Sequence, residues 1–306
     1  MFHWQRTIKK EISCRGIGLH SGLAVDLKIK PAPENHGIKF VRTDLPDSPC
    51  IPAIFKMVVD TSLATVLGRD GFIVSTIEHL MSCFSGMSID NALIEISNYE
   101  LPVLDGSALT YANMIKEVGI VEQKSPRFYF IIKSPIEISD GDKSVSVIPS
   151  DEAKLTCNIE FNHPLILKQS FTTSLSDEEG MKAFEREISK ARTFGFFHEL
   201  EYMRQFGLAK GGSLDNAVVL DKTSVLNEDG LRFPDEFVRH KTLDCIGDFS
   251  LLGMPILGHI VTNKSGHFFN HAFLTKFFEE KHAWETGTSK DIRELSSRNG
   301  DKVKVA

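Results

Sequence analysis

The stretch FVRHKTLDCIGD, Phe237 to Asp248, spaces a histidine and two aspartates four residues apart: His240, Asp244 and Asp248. Pro234 and Asp235 before it and Gly253 after it are helix start and stop signals. On a helix, positions i, i+4 and i+8 lie along one face. A neutral imidazole and a carboxylate one turn apart can both reach a zinc ion. Solvated helices carry the same pair without any metal, so this spacing alone leaves both readings open.

A second stretch, Ser75-Thr76-Ile77-Glu78-His79-Leu80, sets a carboxylate beside an imidazole at the start of a predicted helix. Ser75 and Glu78 also fit a capping box, which would make Glu78 a cap and His79 a core histidine. Set against His240 and Asp244, however, His79 is the third ligand they lack. Two histidines and one carboxylate leave zinc a fourth position for water, as catalytic sites require. Such an ion lowers the pKa of water to roughly 7, and Glu78 next door could take the proton as general base.

The segment NKSGHFFNH adds Lys264, His267 and His271. A histidine here is a candidate general acid for a leaving amine, with Asp248 able to hold it protonated. His267 and His271 also read as residues on the face of a final helix. Lys241, beside His240, could stabilise an oxyanion or a phosphate, although a lone lysine is more often a solvated surface charge.

These residues need a scaffold to position them. The 306 residues are 42% hydrophobic and 25% charged, which is globular composition for one large domain or two smaller ones. A net charge of -6 argues against bulk attraction to nucleic acid or acidic lipid. Cys14, Cys50, Cys83, Cys157 and Cys245 are scattered, odd in number and without CxxC spacing, so reduced thiols in the cytosol are expected. Met1 to Gly16 lacks the apolar run of a signal peptide. No apolar run approaches the ~20 residues of a membrane span.

Alternation of Val25, Leu27 and Ile29 with charged neighbours predicts a half-buried strand. Further strands are expected near residues 38–41, 51–59, 63–67 and 92–96. Helical spacing covers 75–84, with Gly86 placed to stop it, and Ser107 can cap a helix to Val118 that Gly119 ends. The polar segment 121–126 reads as a domain boundary. Beyond it, strands are expected over 128–138, 145–148, 155–161 and 170–173, with a turn at Asp140-Gly141-Asp142. Ser176 and Glu179 fit a capping box for a helix to Ala191. A strand over 258–262, a helix over 268–280 and a loose polar tail from His282 complete the pattern. Between Thr193 and Val219 lies an apolar-aromatic excursion that, on composition alone, reads as an ordinary core helix.

The glycines of Gly16-Ile17-Gly18-Leu19-His20-Ser21-Gly22 fit neither a phosphate-binding P-loop nor a dinucleotide turn. SxxK, GxSxG and HExxH are absent. Read residue by residue, the chain is a metal-assisted hydrolase of unnamed substrate.

Taken together, GIGLHSG, STIEHLMS, DNALIEI, PVLDGSA, ARTFGF, GGSLDNAVV, FVRHKTLDCIGD and KSGHFFN resemble one family, in order, from about Thr7 to about Phe278. It is the zinc-dependent UDP-3-O-acyl-N-acetylglucosamine deacetylase family of lipid A biosynthesis. The resemblance implies an α+β fold of two domains, each a two-layer α/β sandwich, with the active site at their interface. The expected bounds are 1–125, 126–280 with an acyl-chain insert near 195–220, and a polar tail at 281–306.

The resemblance also implies zinc on His79, His240 and Asp244, Glu78 as base, His267 as acid and Asp248 orienting His267. Thr193 and Lys241 would stabilise the oxyanion. Phe161 would stack on the nucleotide, Lys241 and Lys264 would lie near the diphosphate, and Phe194 and His20 would meet the substrate beside the acyl sleeve. The partner implied is a UDP-sugar glycolipid acted on by a cytoplasmic monomer, with no nucleic acid and no integral membrane segment. A non-catalytic nucleotide- or glycolipid-binding protein and a zinc hydrolase of another acylated amine are the alternatives.

Overall fold

The computed structural model describes residues 1–292. A five-stranded sheet carries, in spatial order, Ile12–Ile17, Ala24–Pro31, Ala92–Ile96, Ile38–Arg42 and Cys50–Pro52. Val25, Leu27 and Ile29 point into the core while Asp26 and Lys28 face water, as period-two alternation requires. A seven-stranded sheet follows the path Ile136–Asp140, Lys143–Ile148, Ile256–Asn263, Phe128–Ile132 and Trp284–Thr288. Ala153–Phe161 joins it in parallel beside Ile256–Asn263 and carries Leu167–Ser174 on its other edge. The fold is α+β, with several sheets and no closed barrel.

The helices are α1 (Glu78–Gly86), α2 (Leu109–Val118), α3 (Glu178–Ala183), α4 (Phe197–Gln205), α5 (Glu236–Ser250) and α6 (His267–Glu279). Helices α1 and α5 lie against each other and join the two halves in one continuous apolar core. Both are buried on nearly every side, the pattern of a helix enclosed by protein rather than one lying on a surface. Polar groups carried there are consequently held away from bulk water. No helix among the described residues is long and apolar enough to cross a membrane.

Several expectations are corrected. The polar segment 121–126, for which the sequence predicts no element, is a strand: Ile120–Pro126 pairs antiparallel with Trp4–Ile8. That pair is partly solvated, which is why its composition reads as polar. The tail expected to be loose from His282 contributes Trp284–Thr288 to the seven-stranded sheet, anchored by Trp284 stacked on Phe277. Residues 293–306 of that tail lie outside the described residues. The expected strand at 51–59 breaks at a 3-10 turn, Phe55–Met57, where Phe55 turns in to stack on Phe278. The cap of α3 is Asp177, whose carboxylate accepts from the Glu179 and Gly180 amides, rather than Ser176. The excursion after Thr193 is a strand–helix–strand unit in which Phe194–Phe196 pairs in parallel with Val218–Leu220. Its helix α4 buries no residue fully, so it is not a core helix.

Candidate active site and metal centre

Helix α1 brings Glu78 and His79, and α5 brings His240, Lys241, Asp244 and Asp248, to one buried point. Ser75 does not cap α1, and no side chain does: the cap residue is Ile77. Glu78 is thereby left to the interior, where its Oε2 accepts from the Thr65 amide at 3.1 Å.

The ligand atoms of His79, His240 and Asp244 all lie within 4.8 Å of one another. Asp244 Oδ1 stands 3.3 Å from His240 Nε2 and 3.8 Å from His79 Nε2. This buried oxygen has no hydrogen-bond partner among the described residues, a costly condition for a carboxylate unless a cation takes it up. His240 donates from Nδ1 to the Ala191 carbonyl at 3.1 Å, which leaves its Nε2 lone pair aimed at the cluster. Burial and the neighbouring His240 push His79 down to about 3, and burial also lowers His240, so both imidazoles are neutral at pH 7. Burial would raise Asp244, but His240, Lys241, His267 and His79 outweigh it and hold the carboxyl well below its ordinary range. Two neutral nitrogens and one carboxylate oxygen, with one side open to a cavity, are a donor set that fits a tetrahedral divalent cation.

Around this cluster stand groups able to move protons. His267 is the first residue of α6 and donates from Nδ1 to Asp248 Oδ2 at 2.8 Å. Its Nε2 lies 3.9 Å from Glu78 Oε1 and 4.0 Å from Asp244 Oδ2. A cation at a helix N-terminus opposes the helix dipole. Burial also disfavours the charge, yet Asp248, Glu78 and Asp244 together raise His267 to about 9. Burial, with the charges of Asp244 and Asp248, pushes Glu78 up to about 7. Lys241 donates to Asp244 Oδ2 at 2.7 Å and is held above its ordinary value by that carboxylate despite its burial. The cluster thus pairs a carboxyl poised to accept a proton with an imidazolium poised to give one.

Two cavities meet at this point. One, of about 400 Å³, runs from Glu78, His79 and Asp244 past His20 and Phe194 to Leu200, Met203 and Leu214 of the insert. It is largely apolar. The other, of about 500 Å³, is lined by Phe161, Lys241, Lys264, Lys143 and Asp140. Thr193, Phe194, His240, Asp244 and His267 line both.

The structure therefore gathers Glu78, His79, Thr193, His240, Lys241, Asp244, Asp248 and His267 at the centre, with His20 on the apolar side. Phe161, half-buried, meets Phe194 edge to face at 5.6 Å on the other side. Lys264 lines that side too, but its Nζ is already taken by Asp142 at 2.6 Å and by Glu160. Lys143 lines the same cavity with no ion pair among the described residues, which makes it the less neutralised cation there. His271 is not in the site; its Nε2 donates to the Phe55 carbonyl at 3.0 Å and ties α6 to the 3-10 turn.

Sequence reading missed Thr65 and Asn270. Thr65 donates its hydroxyl to Asp248 Oδ1 at 2.6 Å, and Asn270 donates to Asp248 Oδ2 at 2.8 Å. Asn270 stands three residues after His267 on α6, a spacing that could have flagged it. Nothing local marks Thr65, which reads as a strand residue.

Residues 5–279 match the family described as UDP-3-O-acyl N-acetylglycosamine deacetylase. A protein of Myxococcus xanthus bearing the name UDP-3-O-acyl-N-acetylglucosamine deacetylase is 50% identical over 281 residues, 92% of this chain and 88% of its own. Proteins of the same name from Syntrophus aciditrophicus and Saccharophagus degradans are 44% and 47% identical, over 97% and 94% of this chain and 93% and 94% of theirs.

Proposed function

The chain belongs to the UDP-3-O-acyl N-acetylglycosamine deacetylase family, and from that membership we propose its reaction and the part each residue plays. It hydrolyses the 2-acetamido group of UDP-3-O-(3-hydroxyacyl)-N-acetylglucosamine to the free amine and acetate, a step of lipid A biosynthesis. The observation that carries this reading is the meeting of an apolar and a lysine-bearing cavity at one buried His-His-Asp cluster. A substrate with an acyl tail, a diphosphate head and a scissile amide between them matches that layout.

His79, His240 and Asp244 hold zinc, a choice supported by the two-nitrogen, one-oxygen donor set and the otherwise unpartnered Asp244 Oδ1. When bound, zinc polarises the amide carbonyl and makes a water acidic enough to lose a proton near neutral pH. Glu78 takes a proton from the attacking water. Lys241 and Thr193 face the acetyl oxygen and stabilise the negative charge it gains as water adds to the carbonyl carbon. His267 then gives its Nε2 proton to the amide nitrogen as the C–N bond breaks, and Asp248 holds the Nδ1 side throughout. The products are acetate and an amine.

Phe161 stacks on the nucleotide base, while Lys264, Lys241 and Lys143 lie toward the diphosphate. Phe194 and His20 contact the substrate where its acyl chain enters the insert at 195–220. The chain divides into domains at 1–125 and from 126 onward, the second taking in Trp284–Thr288, a division supported by the separate five-stranded and seven-stranded sheets. The protein acts in the cytoplasm, a compartment in which its free cysteines stay reduced, and it acts there as a monomer.

The test is acetate release from the UDP-3-O-acyl substrate by protein stripped with chelator and then given zinc. Activity should vanish and return. Metal-replete protein that binds the substrate yet releases no acetate would mark a binding protein, or a hydrolase of another acylated amine.

A further inference from the structure

Apart from the substrate contact at His20, the glycine-rich run Gly16 to Gly22 and the buried carboxylate Glu100 take no part in the chemistry above, yet the structure locks them together. Glu100 is 1% exposed. Its Oε1 accepts from the His20 amide and its Oε2 from the Ser21 amide, each at 2.7 Å. A Cβ on Gly18 would stand 2.2 Å from Glu100 Oε2, so a side chain there would push the carboxylate from its place against the loop. Successive backbone amides converging on an anion are a phosphate-binding arrangement. Here the anion is internal.

The same carboxylate reaches the catalytic helix. Glu100 Oε1 also accepts the Thr76 hydroxyl at 3.1 Å. Thr76 is buried and adopts a left-handed conformation, φ +58°, which a β-branched residue occupies only when its surroundings compel it. Glycine would take this φ freely but would lose the hydroxyl. Ser75 is fixed on either side, donating its amide to the Tyr99 carbonyl at 2.7 Å and accepting from the Leu101 amide at 3.1 Å. Ile77 then begins the turn into Glu78 and His79. On its other flank the loop grips the acyl insert, where Gly211 and Lys210 amides donate to the Leu19 and His20 carbonyls at 3.0 and 3.2 Å. Leu19, His20 and Thr76 all line the apolar cavity.

We propose that Glu100 is a positioning residue for the deacetylation, an internal anion that clamps the Gly16–Gly22 loop against the acyl cavity and, through the Thr76 hydroxyl, sets the place of Glu78 and His79. The proposal rests on the deacetylase reading for its kinetic consequences but not for its effect on metal binding. It separates the two arms of the clamp: Glu100→Gln disturbs both, whereas Thr76→Val disturbs only the arm to α1.

The experiment compares the full-length wild type with Glu100→Gln, Thr76→Val and Thr76→Ser. Three quantities are read: kcat and KM for acetate release, zinc Kd by chelator competition, and thermal midpoint. Thr76→Val is expected to lower kcat and weaken zinc by about 10- to 100-fold each, the usual scale for a residue that orients a ligand through another. Its KM should stay near the wild-type value. Thr76→Ser, which keeps the hydroxyl, should restore both quantities. Glu100→Gln should match Thr76→Val in kcat and zinc Kd and in addition raise KM for the long-acyl substrate, because it alone frees His20.

Wild-type kcat and zinc Kd in Thr76→Val would overturn the proposal, as would a Glu100→Gln protein whose only loss is in thermal midpoint. If Glu100→Gln does not fold, the Thr76 pair decides. If the wild type itself releases no acetate, the deacetylase reading falls, and the zinc Kd of Thr76→Val against Thr76→Ser still decides this one.

Discussion

Gly247 of α5 lies against the main chain of Glu78 of α1, so closely that a Cβ on Gly247 would stand 2.1 Å from the Glu78 carbonyl oxygen. The missing side chain sets the spacing of the two helices, and that spacing lets Glu78 and His79 meet Asp244 and Asp248. Backbone on both sides leaves no flexible group to give way. Gly247→Ala should therefore lower the unfolding free energy by about 1–3 kcal/mol, measured in urea, as overpacked interiors do. Zinc affinity and kcat should fall with it. An alanine variant of wild-type stability and zinc affinity would mean that the helices have slack here.

Asp244 and Glu78 are buried carboxyl groups in the same cavity with different work to do. Asp244→Ala removes the oxygen that has no hydrogen-bond partner among the described residues, and the purified protein should carry little zinc. Glu78→Gln keeps all three metal ligands and should retain zinc while losing kcat by about 10²- to 10⁴-fold, the range for a general base. Metal analysis alongside acetate release separates the two. Near-wild-type turnover in Glu78→Gln would move the base to another residue.

Thr65 connects the proposed base to the residue proposed to orient the acid: its amide donates to Glu78 Oε2 and its hydroxyl to Asp248 Oδ1. Thr65→Val leaves the amide and the shape intact and removes the hydroxyl's bond to Asp248 Oδ1 together with its longer contact, 3.4 Å, to His267 Nδ1. Asp248 would still hold His267 and Asn270 but with one oxygen unsatisfied. The expected result is a fall in kcat of about 10- to 100-fold with KM and zinc content unchanged, and recovery in Thr65→Ser. A Thr65→Val enzyme with wild-type kcat would make the hydroxyl a bystander.

How much of this was legible in the chain depended on whether a signal was local. Helix α5 could be read because Pro234, Asp235 and Gly253 punctuate it and a four-residue repeat shows its polar face directly. The turn at Gly141 and the stop at Gly119 could be read for the same reason, and both adopt positive φ. Contacts across the fold could not. Thr65 and Asp248 are 183 residues apart, and nothing in a threonine that reads as part of a strand announces a partner at that distance. Gly247 is one glycine among others until the crossing of α1 is known. Ile120–Pro126 and Trp284–Thr288 were missed because half-solvated strands lack the alternation that marks a buried face. Phe161 entered through family resemblance alone, as did the placing of Lys264 near a diphosphate, since no spacing links either residue to the His-His-Asp cluster.

Glu78 and His267 are both raised in one cavity but must act in opposite protonation states, which fixes the sign of each limb of the pH profile. Burial, with Asp244 and Asp248, pushes Glu78 up to about 7 against the pull of His267. Burial opposes the charge on His267, but Asp248, Glu78 and Asp244 outweigh it and raise it to about 9. A base must be deprotonated, so the rate climbs as pH rises through the Glu78 value. An acid must be protonated, so the rate falls as pH rises through the His267 value. Bound zinc favours the deprotonated form of both, placing the limbs at or below these values. A bell-shaped kcat/KM profile is expected at saturating zinc. The residual activity of Glu78→Gln should lose the acidic limb, and that of His267→Gln the alkaline one. A wild-type profile flat from about pH 5 to about pH 10 would show that neither group exchanges a proton in the rate-limiting step.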